Sequence, residues 1–158
     1  MGYGITIGNA VPVHSKEDGE LSAYWDVPQL ALDDAPKFPN DFTENTNHRS
    51  PSYTTWSQFT KESGLHTLFF AEWDGLMCEH PGCKMLNAEH LKEVQKALKK
   101  WQKQSSKPPG FESNKFTATS IERIDVGVYD HTLARLLWLE WWMRWALENC
   151  ETPAIENG

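Results

Sequence analysis

Three features of this chain predict an α+β fold: alternating apolar residues near the start, a tryptophan-laden helix near the end, and two amphipathic helices between them. The expected architecture is a small N-terminal antiparallel sheet, a hairpin plus a third strand, packed on three main helices. The long Trp-rich C-terminal helix stands at the centre. At 158 residues the chain fits a single domain, 1–158, and can bury a core without staples.

Tyr3, Ile5 and Ile7, followed by Val11 and Val13, alternate around Gly8-Asn9, which predicts a β-hairpin closed by a tight turn. Gly19 then opens a third strand, ELSAYWDV. There Leu21, Ala23 and Trp25 share one side, Tyr24 and Asp26 the other, so that one face can pack. Residues 28–50 are rich in Pro, Asp and Asn and predict an irregular connection.

Ser50-Pro51 reads as the N-cap and first residue of a helix running through PSYTTWSQFTKESG, with Gly64 as its C-cap. Tyr53, Trp56, Phe59 and Thr60 give it a packing face. The apolar stretch before Gly75 predicts a further short helical turn, and Pro81-Gly82 marks a turn. Asn87 caps the next helix, whose Leu91, Val94, Leu98 and Trp101 define a narrow buried stripe. Residues 111–129, with their Thr, Ile and Val, favour a strand or two.

The last helix, DHTLARLLWLEWWMRWALENC, carries Trp138, Trp141, Trp142 and Trp145, half of the eight tryptophans in the chain. Asp130 can accept hydrogen bonds from the free N–H groups of its first turn, and Pro153 closes its far end. Glu140, Arg144 and Glu148 form a thin polar stripe. They interrupt the apolar run well short of the about 20 residues that a membrane span needs. Four tryptophans on one helix predict either a post wrapped by other elements or an exposed patch for a partner.

The net charge of −7 argues against a general nucleic-acid binder, which normally presents a positive excess. The balance is uneven, because Lys92, Lys96, Lys99 and Lys103 share one helical face, either solvated or a phosphate-binding stripe. Three cysteines leave an odd thiol in any disulfide scheme, and the first residues lack the basic start and long apolar run of a signal peptide. A reducing cytoplasm is the expected compartment, with no membrane association.

Two clusters are candidates for chemistry. In Cys78-Glu79-His80-Pro81-Gly82-Cys83, the ligands Cys78, His80 and Cys83 could converge on zinc, with His66, His90 or Cys150 as the fourth. The spacing is not that of paired C-x-x-C knuckles, so a turn with two small buried thiols is the competing reading. The second cluster is Asn47, His48, Arg49 and Ser50, leading into a helix whose free N–H groups and cationic neighbours suit a phosphate or carboxylate. Tyr53 and Trp56, one turn on, could stack a base. The competing reading makes Ser50 a cap and Arg49 a partner for an acidic residue. No G-x-S-x-G, Walker, G-x-G-x-x-G or H-E-x-x-H pattern occurs in the sequence, so no complete catalytic motif is present. A Cys/His hydrolase built on Cys78 or Cys83 with His80 would require a lowered thiol pKa.

The stretches PSYTTWSQF, FFAEWDGLM…EHPGC and ARLLWLEWWMRWALENCETPAI together resemble a family of small uncharacterised proteins encoded by bacteriophages of actinobacteria. The resemblance spans most of the chain except residues 111–129, which read as an insertion. It assigns no catalytic residues. What it implies is context: a viral accessory protein in the host cytoplasm, a non-enzymatic binding, inhibitor or anti-defence protein acting on a host factor. Two other functions stay open: sequestration of a small anionic or nucleotide-like ligand by Asn47, His48, Arg49, Ser50, Tyr53 and Trp56, and a Cys/His hydrolase or zinc-containing enzyme.

Overall fold

The computed structural model describes residues 1–17, 20–112 and 127–158. Most of the 111–129 segment, with its expected strands and proposed insertion, lies outside the described residues, as does Gly19.

The fold is α+β. Six strands, β1 (Ile5–Asn9), β2 (Val11–Glu17), β3 (Glu20–Asp26), β4 (His48–Arg49), β5 (Gly82–Met85) and β6 (Pro153–Asn157), accompany four helices. These are α1 (Tyr53–Ser63), α2 (His66–Phe70), α3 (Ala88–Gln104) and α4 (His131–Asn149). Two sheets result: a four-stranded antiparallel sheet in the order β4-β1-β6-β5, and a separate β2-β3 hairpin.

The hairpin is therefore not where the alternation around Gly8-Asn9 placed it. A tight type I′ turn needs positive φ at both central residues, and neither Gly8 nor Asn9 has it; both are strand residues. Asn9 instead pairs with Pro153, and its side-chain oxygen accepts from Thr152 N at 2.8 Å. Gly8 lies so close to Asn47 Nδ2 and Val27 Cγ1 that an added Cβ would come within 3.2 and 3.3 Å of them. The chain turns onto a different sheet at Ala10, and the hairpin forms between β2 and β3 with Val11 opposite Asp26.

Helix α1 starts later than Ser50-Pro51 implies. Ser52 is the N-cap, its hydroxyl accepting from Thr55 N at 3.1 Å. Pro51 stays outside the helix because its carbonyl is taken by Tyr3 N at 2.9 Å. Gly64 is the C-cap, in the left-handed region at φ 78° that a side chain would disfavour. Asn87 caps α3 in a reciprocal box with His90: Oδ1 accepts from His90 N, and His90 Nδ1 accepts from Asn87 N.

Helix α4 is the central post. Asp130 caps it, accepting from Leu133 N at 2.8 Å, and the same carboxylate accepts from Trp101 Nε1 at 2.8 Å, tying the end of α3 to the start of α4. Burial pushes the Asp130 pKa up, but Ser105, Leu133, Trp101 and Thr132 outweigh it and hold the carboxyl below its ordinary value. The helix stops short of Pro153, as the sequence predicts. It ends at Asn149, and the chain turns at Cys150 to enter β6, whose Ala154 and Ile155 are fully buried. On α4, Leu136, Trp138, Leu139, Trp142, Met143 and Ala146 join Ile5, Ile7, Trp56, Phe59, Phe69 and Ile155 in one continuous core. Trp141 and Trp145 are partly buried against that core, so the four tryptophans present no common exposed patch. Among the described residues, no helix is long and apolar enough to cross a membrane.

Candidate ligand cavity beside the central helix

Asn47, His48 and Arg49 follow the irregular connection into the edge strand β4, which pairs with β1. Asn47 is fully buried and works as a staple. Its Oδ1 accepts from Leu30 N at 2.8 Å, and its Nδ2 donates to Ile7 O at 2.9 Å and Pro28 O at 3.1 Å. That leaves little amide capacity for a ligand. His48 is bonded through Nδ1 to Thr6 Oγ1 at 2.8 Å and through Nε2 to Ser50 Oγ at 3.0 Å. Burial first, and then the Arg49 charge, hold the His48 pKa below its ordinary value, so the ring favours its neutral form.

Arg49 is folded back on the protein. Its Nη2 meets Asp41 Oδ2 at 2.9 Å and donates to Glu44 O at 2.9 Å, while Nη1 donates to Thr46 O at 2.9 Å and His48 O at 2.8 Å. Its Cζ stands 5.0 Å from the centre of the Trp138 ring. Burial draws its pKa down to about 10 against the opposing pull of Asp41, leaving it charged at neutral pH. Arg49 thus organises the loop around residues 41–46.

That loop forms one wall of a cavity of about 280 Å³. The sequence cluster splits across it: Arg49, Ser50 and Trp56 line it, whereas Asn47, His48 and Tyr53 do not. The opposite wall comes from α4, through Ala134, Arg135 and Trp138, and from Phe111. Phe111 is held by its backbone N–H donating to Pro39 O at 3.0 Å and by an edge contact with Phe38 at 6.4 Å. Phe42, 88% exposed, stands at the rim.

Arg135 is a residue that the sequence pattern does not single out, because it is a lone charge in the first turns of an apolar helix, apart from the Glu140, Arg144 and Glu148 stripe. Its guanidinium lies over the Phe111 ring at 5.3 Å. Burial lowers its pKa, and Glu62 acts on it only from beyond ion-pair distance. The Glu62 carboxylate is itself bonded to Thr132 Oγ1 at 3.0 Å. Among the described residues, Arg135 forms no hydrogen bond or ion pair, in contrast to the fully engaged Arg49. An aromatic-walled space with a half-buried guanidinium beside it can hold a flat ring by stacking and an anion by charge-assisted hydrogen bonds.

Other clefts are less suited. A cleft between α1, α2 and α3 is lined by Asp74, Glu89, His90, Glu93, Lys96 and Lys100, charged groups of both signs with no Phe, Tyr or Trp wall. The Lys92, Lys96, Lys99 and Lys103 face is solvent-facing, and Lys92 pairs with Glu89 at 3.2 Å.

The structure does not bring Cys78, His80 and Cys83 to one point. His80 Nδ1 is bonded to Asn157 and Nε2 to Tyr53, and among the described residues no three His, Cys, Asp or Glu side chains form a metal-sized group. His66 bonds Thr60 Oγ1 at 3.0 Å, His90 closes the α3 cap, and Cys150 ends α4. Burial, then the charges of Glu156 and Asp26, push the Cys83 thiol up to about 11, away from the thiolate that a nucleophile or zinc ligand supplies.

Compared with protein-family models, curated proteins and solved structures, the chain matches none.

Proposed function

We propose that this protein captures a small planar anion, of the size of a nucleobase or aryl acid, in the cavity between the 38–43 loop, Phe111 and α4. The carrying observation is Arg135: a half-buried cation over an aromatic ring, facing a cavity and bonded to no anion among the described residues. At about 280 Å³ the space exceeds the roughly 150 Å³ that suffices for a benzene ring, and lies near the lower bound of ligand pockets. In the setting that the resemblance implies, a phage accessory protein in the host cytoplasm, such capture withholds a metabolite or signalling nucleotide from the host.

The test is thermal unfolding of the full chain with millimolar adenosine, guanosine, cytidine and uridine monophosphates and with benzoate. At least one should raise the midpoint, since ligand at a hundredfold over Kd adds about 2.7 kcal/mol. Arg135→Leu should keep the fold and lose the response. A flat response to all five, or an unchanged one in Arg135→Leu, overturns the reading.

A host-protein target is the second reading, favoured by Tyr24 and Trp25, each about half exposed on β3. A folded Tyr24→Ser, Trp25→Ser double variant should then lose a host protein that the unaltered chain retains. Equal retention by both forms counts against it.

A further inference from the structure

Outside the cavity, residues from α1, from the turn before β5 and from β6 meet in a hydrogen-bonded row. Tyr53, the first residue of α1, has its hydroxyl 3.2 Å from His80 Nε2, and His80 Nδ1 is 2.6 Å from Asn157 Oδ1. Asn157, in β6, is 1% exposed, and its Nδ2 donates to Glu79 O at 2.9 Å, which fixes which way the amide points. Because Oδ1 only accepts, His80 Nδ1 must hold the ring proton. Nε2 then offers its lone pair to the Tyr53 hydroxyl. The imidazole is also clamped edge-on by Tyr3 at 4.9 Å, and Tyr3 packs against Tyr53 at 4.7 Å. Tyr53 itself remains 36% exposed, so a reagent can reach it.

Phenol, base and orienting amide therefore stand in the order that activates a hydroxyl nucleophile: a base within hydrogen-bond reach, held in the right tautomer by a third group. Packing alone does not require an exposed tyrosine hydroxyl to meet the lone pair of an oriented imidazole. Among the described residues no lysine or arginine bonds to any of the three. A neutral acyl carbonyl thus suits the site better than a phosphoryl group, whose charge calls for a cation.

We propose that Tyr53 is an acyl-accepting nucleophile, with His80 as its general base and Asn157 as a positioning residue. In the step, Tyr53 Oη attacks the carbonyl carbon of an ester and its proton passes to His80 Nε2. The bond from that carbon to the leaving oxygen breaks, and the oxygen departs with the electron pair, taking the proton from His80 when it is basic enough. An acyl-tyrosine ester remains.

The probe is p-nitrophenyl acetate on the full chain, read by peptide mass mapping and by released p-nitrophenolate. Tyr53 should be acetylated ahead of Tyr3, Tyr24 and Tyr129. His80→Phe keeps a ring for Tyr3 to pack on and removes the base, which elsewhere contributes about a hundredfold or more, so Tyr53 acetylation should slow at least about tenfold. A smaller loss in a folded His80→Phe, or no preference for Tyr53, overturns the proposal. Tyr53→Phe, which spares the packing, should reduce p-nitrophenolate release; unchanged release overturns it as well. For Asn157, the Ala variant should slow labelling and Asn157→Asp, which keeps an acceptor for Nδ1, should restore it. Failure of the Asp variant to restore the rate removes the positioning role.

Discussion

Arg49 Cζ stands 5.0 Å from the ring centre of Trp138, and both side chains donate to one backbone oxygen, Thr46 O: Arg49 Nη1 from 2.9 Å and Trp138 Nε1 from 3.0 Å. Through that shared acceptor the central helix grips the loop that walls the cavity.

The grip makes Trp138 and Trp142 unequal, although both are buried on α4. Among the described residues Trp142 Nε1 has no hydrogen-bond partner, so Trp142→Phe gives up ring volume alone, whereas Trp138→Phe also gives up a bond and a better face for the guanidinium. Trp138→Phe should cost about 1 kcal/mol more in urea unfolding. Equal losses, or a larger one for Trp142→Phe, would contradict the assignment.

Removing Arg49 should cost more than a surface charge does. Its side chain and that of Asp41 are 13% and 6% exposed, so Arg49→Ala strands a buried carboxylate and should destabilise the chain by about 3 kcal/mol. Adding Asp41→Asn should recover part of the loss. A double variant as unstable as the sum of the two single ones would show that the pair is uncoupled.

Where the β2-β3 hairpin meets the main sheet, Glu156 bonds Asp26, and its Oε2 accepts from Val27 N at 2.7 Å. Burial, then the charge and hydrogen bond of Asp26, raise the Glu156 pKa above its ordinary 4.5 despite the Val27 N–H. A carboxyl that holds its proton more tightly when folded stabilises the fold below pH 4.5, and that contribution fades as pH rises through the raised value. Asp26→Asn should therefore flatten this decline. Glu156 is partly exposed, so the gain at neutral pH should stay within about 1 kcal/mol. Urea midpoints across a pH series read it, and a clear destabilisation at neutral pH would refute the account.

The Cys83 thiol, pushed up to about 11, should carry about a hundredfold less thiolate at neutral pH than an ordinary cysteine. Iodoacetamide should modify it correspondingly slowly, and Asp26→Asn should speed the reaction by relieving one of the charges that hold the proton on. Rapid alkylation of Cys83 in the folded chain would overturn this.

What could be read ahead of the structure was local. Asn87, Asp130 and Gly64 each announce a helix end through their own side chain or lack of one, and the apolar spacing of Val94 and Leu98 or of Leu139 and Trp142 fixes a buried face. Sheet partners are not local. β1 reads as half of a hairpin because its nearest apolar neighbour in sequence is β2, yet its partners are β4 and β6. The segment PAIEN carries no strand signal of its own, because five residues beginning with a proline display no clear period, although Ala154 and Ile155 are fully buried. The cavity was half legible: Arg49, Ser50 and Trp56 lie close in sequence, while Phe111 and Arg135 join them only through the packing of α4. In the sequence Tyr53 and His80 belong to separate clusters, one for stacking and one for zinc, and their alignment depends on Asn157, in a strand more than seventy residues beyond His80.

The position of β6 between β1 and β5 has a consequence for how this protein is made. Ile5 pairs with Asn157 and Asn9 with Pro153, so one of the two strands that flank β1 is synthesised long after it, once α1 to α4 have all been made. As the polypeptide emerges from the ribosome, the α1–α3 segments can form their local turns, but Ile5 and Ile7 must wait for Ala154 and Ile155 before the central sheet exists. Nascent chains halted before Pro153 should therefore be protease-sensitive throughout, including in helices whose own residues are all present.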